Sequence, residues 1–268
     1  MIDAVFVEQV AAVIREVGAT QVVPRFQALA TGDISEKSPG DYVTIADQEC
    51  ERVLTERLRQ IRDVPVVGEE ATAADPTLLD LVAGAPAAWV IDPIDGTANF
   101  VAGKPSYVVM VAFVEGGETA AAWVWHPATD AMLTVALGGA TKRNGVVVPE
   151  PQRTDPVTGI LKRKYVPEPG RTRLGNFDAD VGQVVPASRS AGIEYALLID
   201  GEIDFLFYWR TLPWDHAPCA LLAQQAGMRV ARIDGSPYAP GDGAVGLLAA
   251  VPNIWDDVAN EIRQAIAD

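Results

Sequence analysis

Asp92 and Asp95 stand three residues apart where an apolar run, residues 87–91, gives way to Gly96 and Thr97. The run reads as a buried strand; Pro93 stops it and Gly96 permits a tight turn into a helix. Carboxylates across such a bend can share or bridge hard divalent cations, which prefer oxygen ligands, and the Ile94 carbonyl offers one more oxygen. Free amides after Asp95, at Gly96 and Thr97, suit a phosphate at the helix start. A second acidic pair, Glu69-Glu70 after Gly68, ends another apolar run at residues 64–67. Asp-Pro and Asp-Gly are ordinary turn formers and Asp an ordinary cap. The full string over residues 92–100 (DPIDGTANF), taken with the second acidic pair, favours a metal-dependent phosphate site. Two residues separate the aspartates, where the aspartyl-phosphate motif has one, which argues against a covalent aspartyl nucleophile. With no Ser-His or Cys-His arrangement evident, the expected nucleophile is water whose pKa a cation has lowered.

The elements that must position these groups follow from periodicity. Residues 3–17 and 48–60 read as amphipathic helices, joined by a polar loop over residues 31–40. Short apolar runs at 107–114, 119–126 and 131–137, separated by turn residues, predict an antiparallel meander, and Asn144-Gly145 a further hairpin. Residues 149–182, rich in Pro, Gly, Arg and Lys, read as a connection into a second half. There strands and helices alternate: 194–198 and 204–208 flank Asp200-Gly201, and helices are expected at 215–226 and 254–267. The pattern suits one unit with an α+β half, about 1–148, and an α/β half, about 149–268.

Composition narrows the classes. The 268 residues are 49% hydrophobic, ample for a core, and a net charge of −15 disfavours nucleic acid or an anionic membrane as a partner. Cys50 and Cys219 lie far apart in helix-like stretches, so neither a zinc cluster nor a disulfide framework is suggested and a cytoplasmic setting is expected. No signal peptide or membrane span is read from the first residues.

Four blocks in order, residues 41–47 (DYVTIAD), Gly68-Glu69-Glu70, DPIDGTANF and residues 214–218 (WDHAP) with the apolar helix after it, resemble the inositol monophosphatase family of magnesium-dependent, lithium-sensitive phosphatases. The resemblance implies a layered αβαβα sandwich of the sugar-phosphatase type, a homodimer and two or three Mg2+ ions. It implies Glu69, Asp92 and the Ile94 carbonyl around one ion, and Asp92, Asp95 and Asp215 around a second about 4 Å away, with a looser third near Glu69. Catalysis would fall to Asp47, Glu69 and Thr97, with Thr97 orienting the water and Asp47 accepting its hydroxyl hydrogen bond. Taken alone, Asp47 and Asp215 each read first as helix caps, and only the blocks around them favour the other roles.

Substrate contacts implied by the resemblance are the Gly96 and Thr97 amides for phosphate and Arg189, Ser190, Ala191, Tyr208 and Arg210 for the rest of the molecule. Typical family members have a glutamate, bonded to ring hydroxyls, where this chain has Tyr208. Arg189 and Arg210 suggest a clamp on a carboxylate or second phosphate, weighed against simple solvation. The basic residues Lys162, Arg163, Lys164, Arg171 and Arg173 suggest a segment folding over the pocket, weighed against a solvated loop. His126 and His216 are not expected to act as acids. Inositol monophosphate is the leading expected substrate, with histidinol phosphate, 3'-phosphoadenosine 5'-phosphate and fructose 1,6-bisphosphate as rivals. The other class is a non-catalytic interaction protein that keeps the fold.

Overall fold

The computed structural model describes residues 2–178 and 181–267. Two sheets carry the fold. The first has seven strands in the order Val66–Gly68, Ala87–Asp95, Val108–Glu115, Glu118–His126, Ala131–Ala136, Lys142–Arg143 and Val146–Val147. The second has five, in the order Gln183–Val184, Thr158–Lys162, Phe205–Tyr208, Leu247–Ala250 and Arg229–Arg232. Helices Ala4–Val17 and Ile45–Ile61 cover one face of the first sheet, and Ala191–Ile199 and Pro213–Gln225 fill the space between the sheets. Trp255–Ala267 and the short Gly170–Arg173 lie on the far side of the second. The layers run αβαβα, as the family resemblance implied. No helix among the described residues is long and apolar enough to cross a membrane.

Alternation along the strand Ala87–Asp95 aims the first aspartate. Trp89 and Ile91 pack with Phe6, Ile14 and Leu54 of the outer helices, whereas Val90 packs with Trp214 and Ala217 on the opposite face. Asp92 therefore falls on the side of helix Pro213–Gln225. In an unbroken strand Asp95, three residues on, would face away from it. The register pairs Asp92 with Met110 and Asp95 with Val108, three steps against two. This bulge at Pro93 and Ile94 inserts one residue and returns Asp95 to the face of Asp92. Proline, lacking an N–H, fits such an unpaired step.

Several expectations need correction. Residues 31–40, read as a polar loop, contain the strand Ile34–Ser38, which forms a hairpin with Asp41–Thr44. Its Ser-Glu-Lys-Ser sequence has no apolar alternation because both its faces are largely solvated. The second helix starts at Ile45, not at residue 48, because Thr44 caps it. Residues 149–182 are more than a connection: Thr158–Lys162 is an inner strand, parallel to Phe205–Tyr208 on one side and to Gln183–Val184 on the other. Only Gly159-Ile160-Leu161 marks it, a run too short to read. Residues 194–198 lie within helix Ala191–Ile199. The meander and the Asn144-Gly145 hairpin stand, with Asn144 and Gly145 both at positive φ, 47° and 80°.

Gly159 faces Phe205 across the parallel pair, and a Cβ there would lie 2.4 Å from the ring. Gly159→Ala is expected to overpack this centre and cost about 1–3 kcal/mol in urea unfolding; an unchanged midpoint would mean that the two strands separate freely.

Candidate active site

Asp92, Asp95 and Asp215 each place a carboxylate oxygen within 4.8 Å of the others'. Asp92 is supplied by the strand before the bulge, Asp95 by its end and Asp215 by the first turn of Pro213–Gln225. Asp215 is not the cap of that helix: Leu212 holds the N-cap position and Pro213 opens the helix. Its carboxylate is still favoured there by the helix dipole. Asp95 accepts hydrogen bonds from Ser190 Oγ at 2.6 Å, the Gly192 amide at 2.7 Å and the Ala191 amide at 3.1 Å. Asp92 Oδ1 is buried without a hydrogen-bond partner.

Crowding buried carboxylates raises their proton affinity. Burial, then the charges of Glu69, Asp95 and Asp215, push Asp92 well above the usual carboxylate range. Burial, Asp95 and Glu69 do the same to Asp215, with Arg210 and Lys162 opposing. Asp95 is pushed up to about 6 by burial, against its three donors. An all-oxygen donor set with an orphaned buried oxygen fits a hard divalent cation, which would replace those protons.

Beside it stands a second unit. Thr44 and Asp47 form a capping box: Thr44 N and Oγ donate to Asp47 Oδ2 at 2.8 and 2.5 Å, and Thr44 Oγ accepts from the Ala46 amide. Asp47 is thus the third helical residue, and burial holds its pKa at about 6 against the Thr44 hydrogen bonds. Thr97 Oγ lies 3.1 Å from Asp47 Oδ1 and 2.9 Å from the Ile94 carbonyl, positions between which its single proton must choose. Gly96 has φ of 94°, and a Cβ would meet the Ser106 carbonyl at 2.9 Å, so only glycine makes this turn. Gly96, Thr97, Asp92, Asp95, Asp215 and Glu69 line one cavity of about 460 Å³.

Glu69 lines that cavity outside the aspartate cluster, with Lys37 Nζ 2.8 Å from Glu69 and 2.9 Å from Glu70. Burial lowers the Lys37 pKa, but the two glutamates overcome it and leave it above its ordinary value. Burial and Glu69 push Glu70 up to about 7, against Lys37. Glu51 accepts from the Glu70 and Ala71 amides, both at 2.8 Å, and so holds the start of helix Glu69–Ala74. Neither Lys37 nor Glu51 was found by sequence reasoning: Lys37 sat in an apparent loop, and Glu51 looks like any polar helix residue.

A larger cavity of about 930 Å³ adjoins, lined by Tyr208, Arg189, Arg210, Lys162, Arg163 and Lys164 among others. Ser190 and Ala191, expected as substrate contacts, line neither of these cavities and are buried behind Asp95. Tyr208 gives its hydroxyl to Glu194 Oε2 at 2.5 Å, and Lys162 Nζ lies 2.9 Å from Glu194 Oε1. Glu194 was also missed; a lone charge in the apolar stretch Ala191–Ile199 was its available signal. His126 lies on an outer cavity, and His216 is fully buried with its pKa lowered to about 3 by burial and by Arg232. Neither is placed as an acid.

Comparison with known proteins identifies the family and the fold. The inositol monophosphatase family model matches residues 4–267. The inositol-1-monophosphatase of Mycobacterium bovis is 33% identical over 240 residues, covering 86% of this chain and 81% of that protein. The Nus factor SuhB of Pasteurella multocida is 27% identical over 239 residues, covering 87% and 86%. The Thermotoga maritima IMPase has a similar fold, with a TM-score of 0.76 at 22% identity over 96% of each chain. The chain belongs to the inositol monophosphatase family and is a phosphoric monoester hydrolase.

Raised carboxylate pKa values have a thermodynamic signature. Asp47 and Asp95, near 6, and Glu70, near 7, keep protons in the folded state that the unfolded chain releases near pH 4. The folded state binds more protons, so stability falls as pH rises between about 4 and 7. Chelator-treated protein is expected to melt lower at pH 7 than at about pH 5, and magnesium to raise the melting temperature more at pH 7, where fewer protons compete. A melting temperature that climbs across this window would contradict the assignment.

Proposed function

We propose that this chain is a magnesium-dependent phosphomonoesterase that hydrolyses a small polyol phosphate by attack of water, with inositol monophosphate as the reference substrate. The observation that carries the reading is the convergence of Asp92, Asp95 and Asp215, with Asp92 Oδ1 orphaned, beside the Thr97–Asp47 hydrogen bond. Glu69, Asp92 and the Ile94 carbonyl would hold one ion and Asp92, Asp95 and Asp215 another, with a third near Glu69. Such ions, when bound, neutralise phosphoryl oxygens and lower the pKa of water.

The chain's own groups do the rest. Thr97, donating its proton to Asp47, turns oxygen lone pairs towards an incoming water and fixes its direction. Asp47, with a pKa of about 6, is poised to take up the proton that Thr97 passes when the water is consumed. The Gly96 and Thr97 amides receive the phosphate at the turn that only glycine can make. Ser190, Ala191 and Gly192 fix the Asp95 carboxylate, so we assign them to positioning it and not to substrate. Glu69 acts through the ions it holds. Lithium inhibition, a homodimer and a cytoplasmic setting belong to this reading through the family.

One relative carries the name Nus factor, which keeps a second reading in view, a protein acting through a partner without hydrolysis. The complete carboxylate set favours hydrolysis. Phosphate release from inositol 1-phosphate with magnesium, compared between wild type and Asp92→Asn, separates the two. The variant is expected to lose at least about 10³-fold in kcat/KM, the several kcal/mol supplied by cation charge. Wild-type turnover that the substitution leaves intact would remove Asp92 from the mechanism.

A further inference from the structure

Six of the chain's 21 lysines and arginines, namely Lys162, Arg163, Lys164, Arg171, Arg189 and Arg210, line the larger cavity, and Asp215 is the sole acid among its described lining residues. In a protein with 36 Asp and Glu, this gathering is against the prevailing charge. Two of the six are neutralised: Lys162 by Glu194 at 2.9 Å and Arg171 by Glu168 at 2.6 Å. Arg163, Lys164, Arg189 and Arg210 form no salt bridge among the described residues, although all four are exposed where an acid could reach them. Lys164, Arg189 and Arg210 also line the cavity that holds the aspartates, so the cationic wall is continuous with the reaction site.

The wall is built, not incidental. Lys162 ends the strand Thr158–Lys162 with Arg163 and Lys164 just after it, and Arg210 follows the neighbouring parallel strand Phe205–Tyr208, at the carboxyl edge where ligands bind such a sheet. Arg210 lies 4.1 Å from the centre of the Tyr165 ring and Lys164 5.1 Å from it, so one tyrosine orders two cations. Arg189 sits at φ 69°, an uncommon conformation for a side-chain-bearing residue, and its amide donates to Glu194 Oε1 at 3.1 Å. Glu194 is entirely occupied: Lys162, Ser188 Oγ and the Arg189 amide meet Oε1, and the Tyr208 hydroxyl meets Oε2. Being fully buried, it has no oxygen left for substrate hydroxyls. Six cations against one acid among the described lining residues favour an anion over an uncharged polyol.

We propose that the substrate is a phosphate monoester carrying a second anionic group, phosphate or carboxylate, held by Lys164, Arg189 and Arg210, with Arg163 on the larger of the two cavities only. This rests on the phosphomonoesterase reading and narrows its substrate class. Arginine suits both kinds of anion through its planar fork of donors. A cationic leaving group, such as an aminoalkyl alcohol, is disfavoured by the same wall.

The test compares matched esters that differ in the second anion: fructose 1,6-bisphosphate against fructose 1-phosphate, 3'-phosphoadenosine 5'-phosphate against adenosine 3'-phosphate, and 2-phosphoglycerate against glycerol 2-phosphate. Inositol 1-phosphate and histidinol phosphate serve as neutral and cationic references. The first two pairs report a second phosphate and the third a carboxylate. In at least one pair the ester with two anionic groups is expected to have a kcat/KM about 10–100-fold higher, mostly through KM, the size of one or two charge-assisted contacts. Lys164→Gln and Arg210→Gln together are expected to collapse that ratio towards one, and raised salt to shrink it. Hydrolysis of the esters with no preference in any pair, or a ratio untouched by the double substitution, would overturn the proposal while leaving the phosphomonoesterase reading intact. No turnover of any ester by the magnesium-loaded protein would sink both.

Discussion

Three carboxylates within 4.8 Å of one another, two of them buried, are a cost that the rest of the structure is arranged to carry. Burial raises the proton affinity of all three; Coulomb repulsion within the cluster adds to it at Asp92 and Asp215, while at Asp95 the added charge is that of Glu194. Asp95 is met by three donors from the start of helix Ala191–Ile199, and Asp215 feels the opposing charges of Arg210 and Lys162. Asp92 has no such relief. Its orphaned Oδ1 is the one unpartnered buried side-chain atom of the described residues that lies within the carboxylate cluster, and a bound cation is its simplest partner. The bulge, the glycine turn and the placing of helix Pro213–Gln225 between the sheets all serve to bring these groups to one point.

Much of this was legible because local sequence and site coincide. The string from Asp92 to Phe100 encodes strand, bulge, turn and helix start in nine consecutive residues, with its chemistry attached. Asp215 was legible as a site residue, but its station two residues past Pro213 was not, since a prolyl first turn can begin on either side of an acid. The strand Thr158–Lys162 escaped because three residues of apolar signal cannot outweigh the Pro and Gly around them; its identity comes from the neighbouring strands that pair with it. Lys37 escaped for a related reason, being placed on Glu69 and Glu70 by a hairpin whose strand has no periodic pattern.

Tyr208 shows how a single substitution is misread in isolation. From the sequence it is a lost carboxylate replaced by a bulkier hydroxyl. In the structure that hydroxyl is bound to a different carboxylate, Glu194, one helix away, which in turn neutralises Lys162 and fixes the Arg189 backbone. The charge at this end of the cavity has therefore been internalised, not simply removed. With Lys162 paired inwards, the cations beyond it, Arg163, Lys164, Arg189 and Arg210, form no salt bridge among the described residues, so they set the electrostatic character of the wall.

Net charge and local charge then act over different distances. At −15 the molecule as a whole repels phosphorylated solutes, but at physiological salt that repulsion fades beyond about 8 Å from each charge. Inside the cleft a different balance applies: low-dielectric walls focus the field of the nearest charged groups, which among the described residues lining the larger cavity are six cations and one acid, Asp215. The acidic cluster would be neutralised by the ions it is suited to hold. With those ions present, a phosphorylated molecule would meet positive potential in two ways, at the aspartates through metal and along the wall shared by the two cavities through Lys164, Arg189 and Arg210. A single acidic protein can therefore attract an anion at two points, provided that the anionic groups are spaced to meet both.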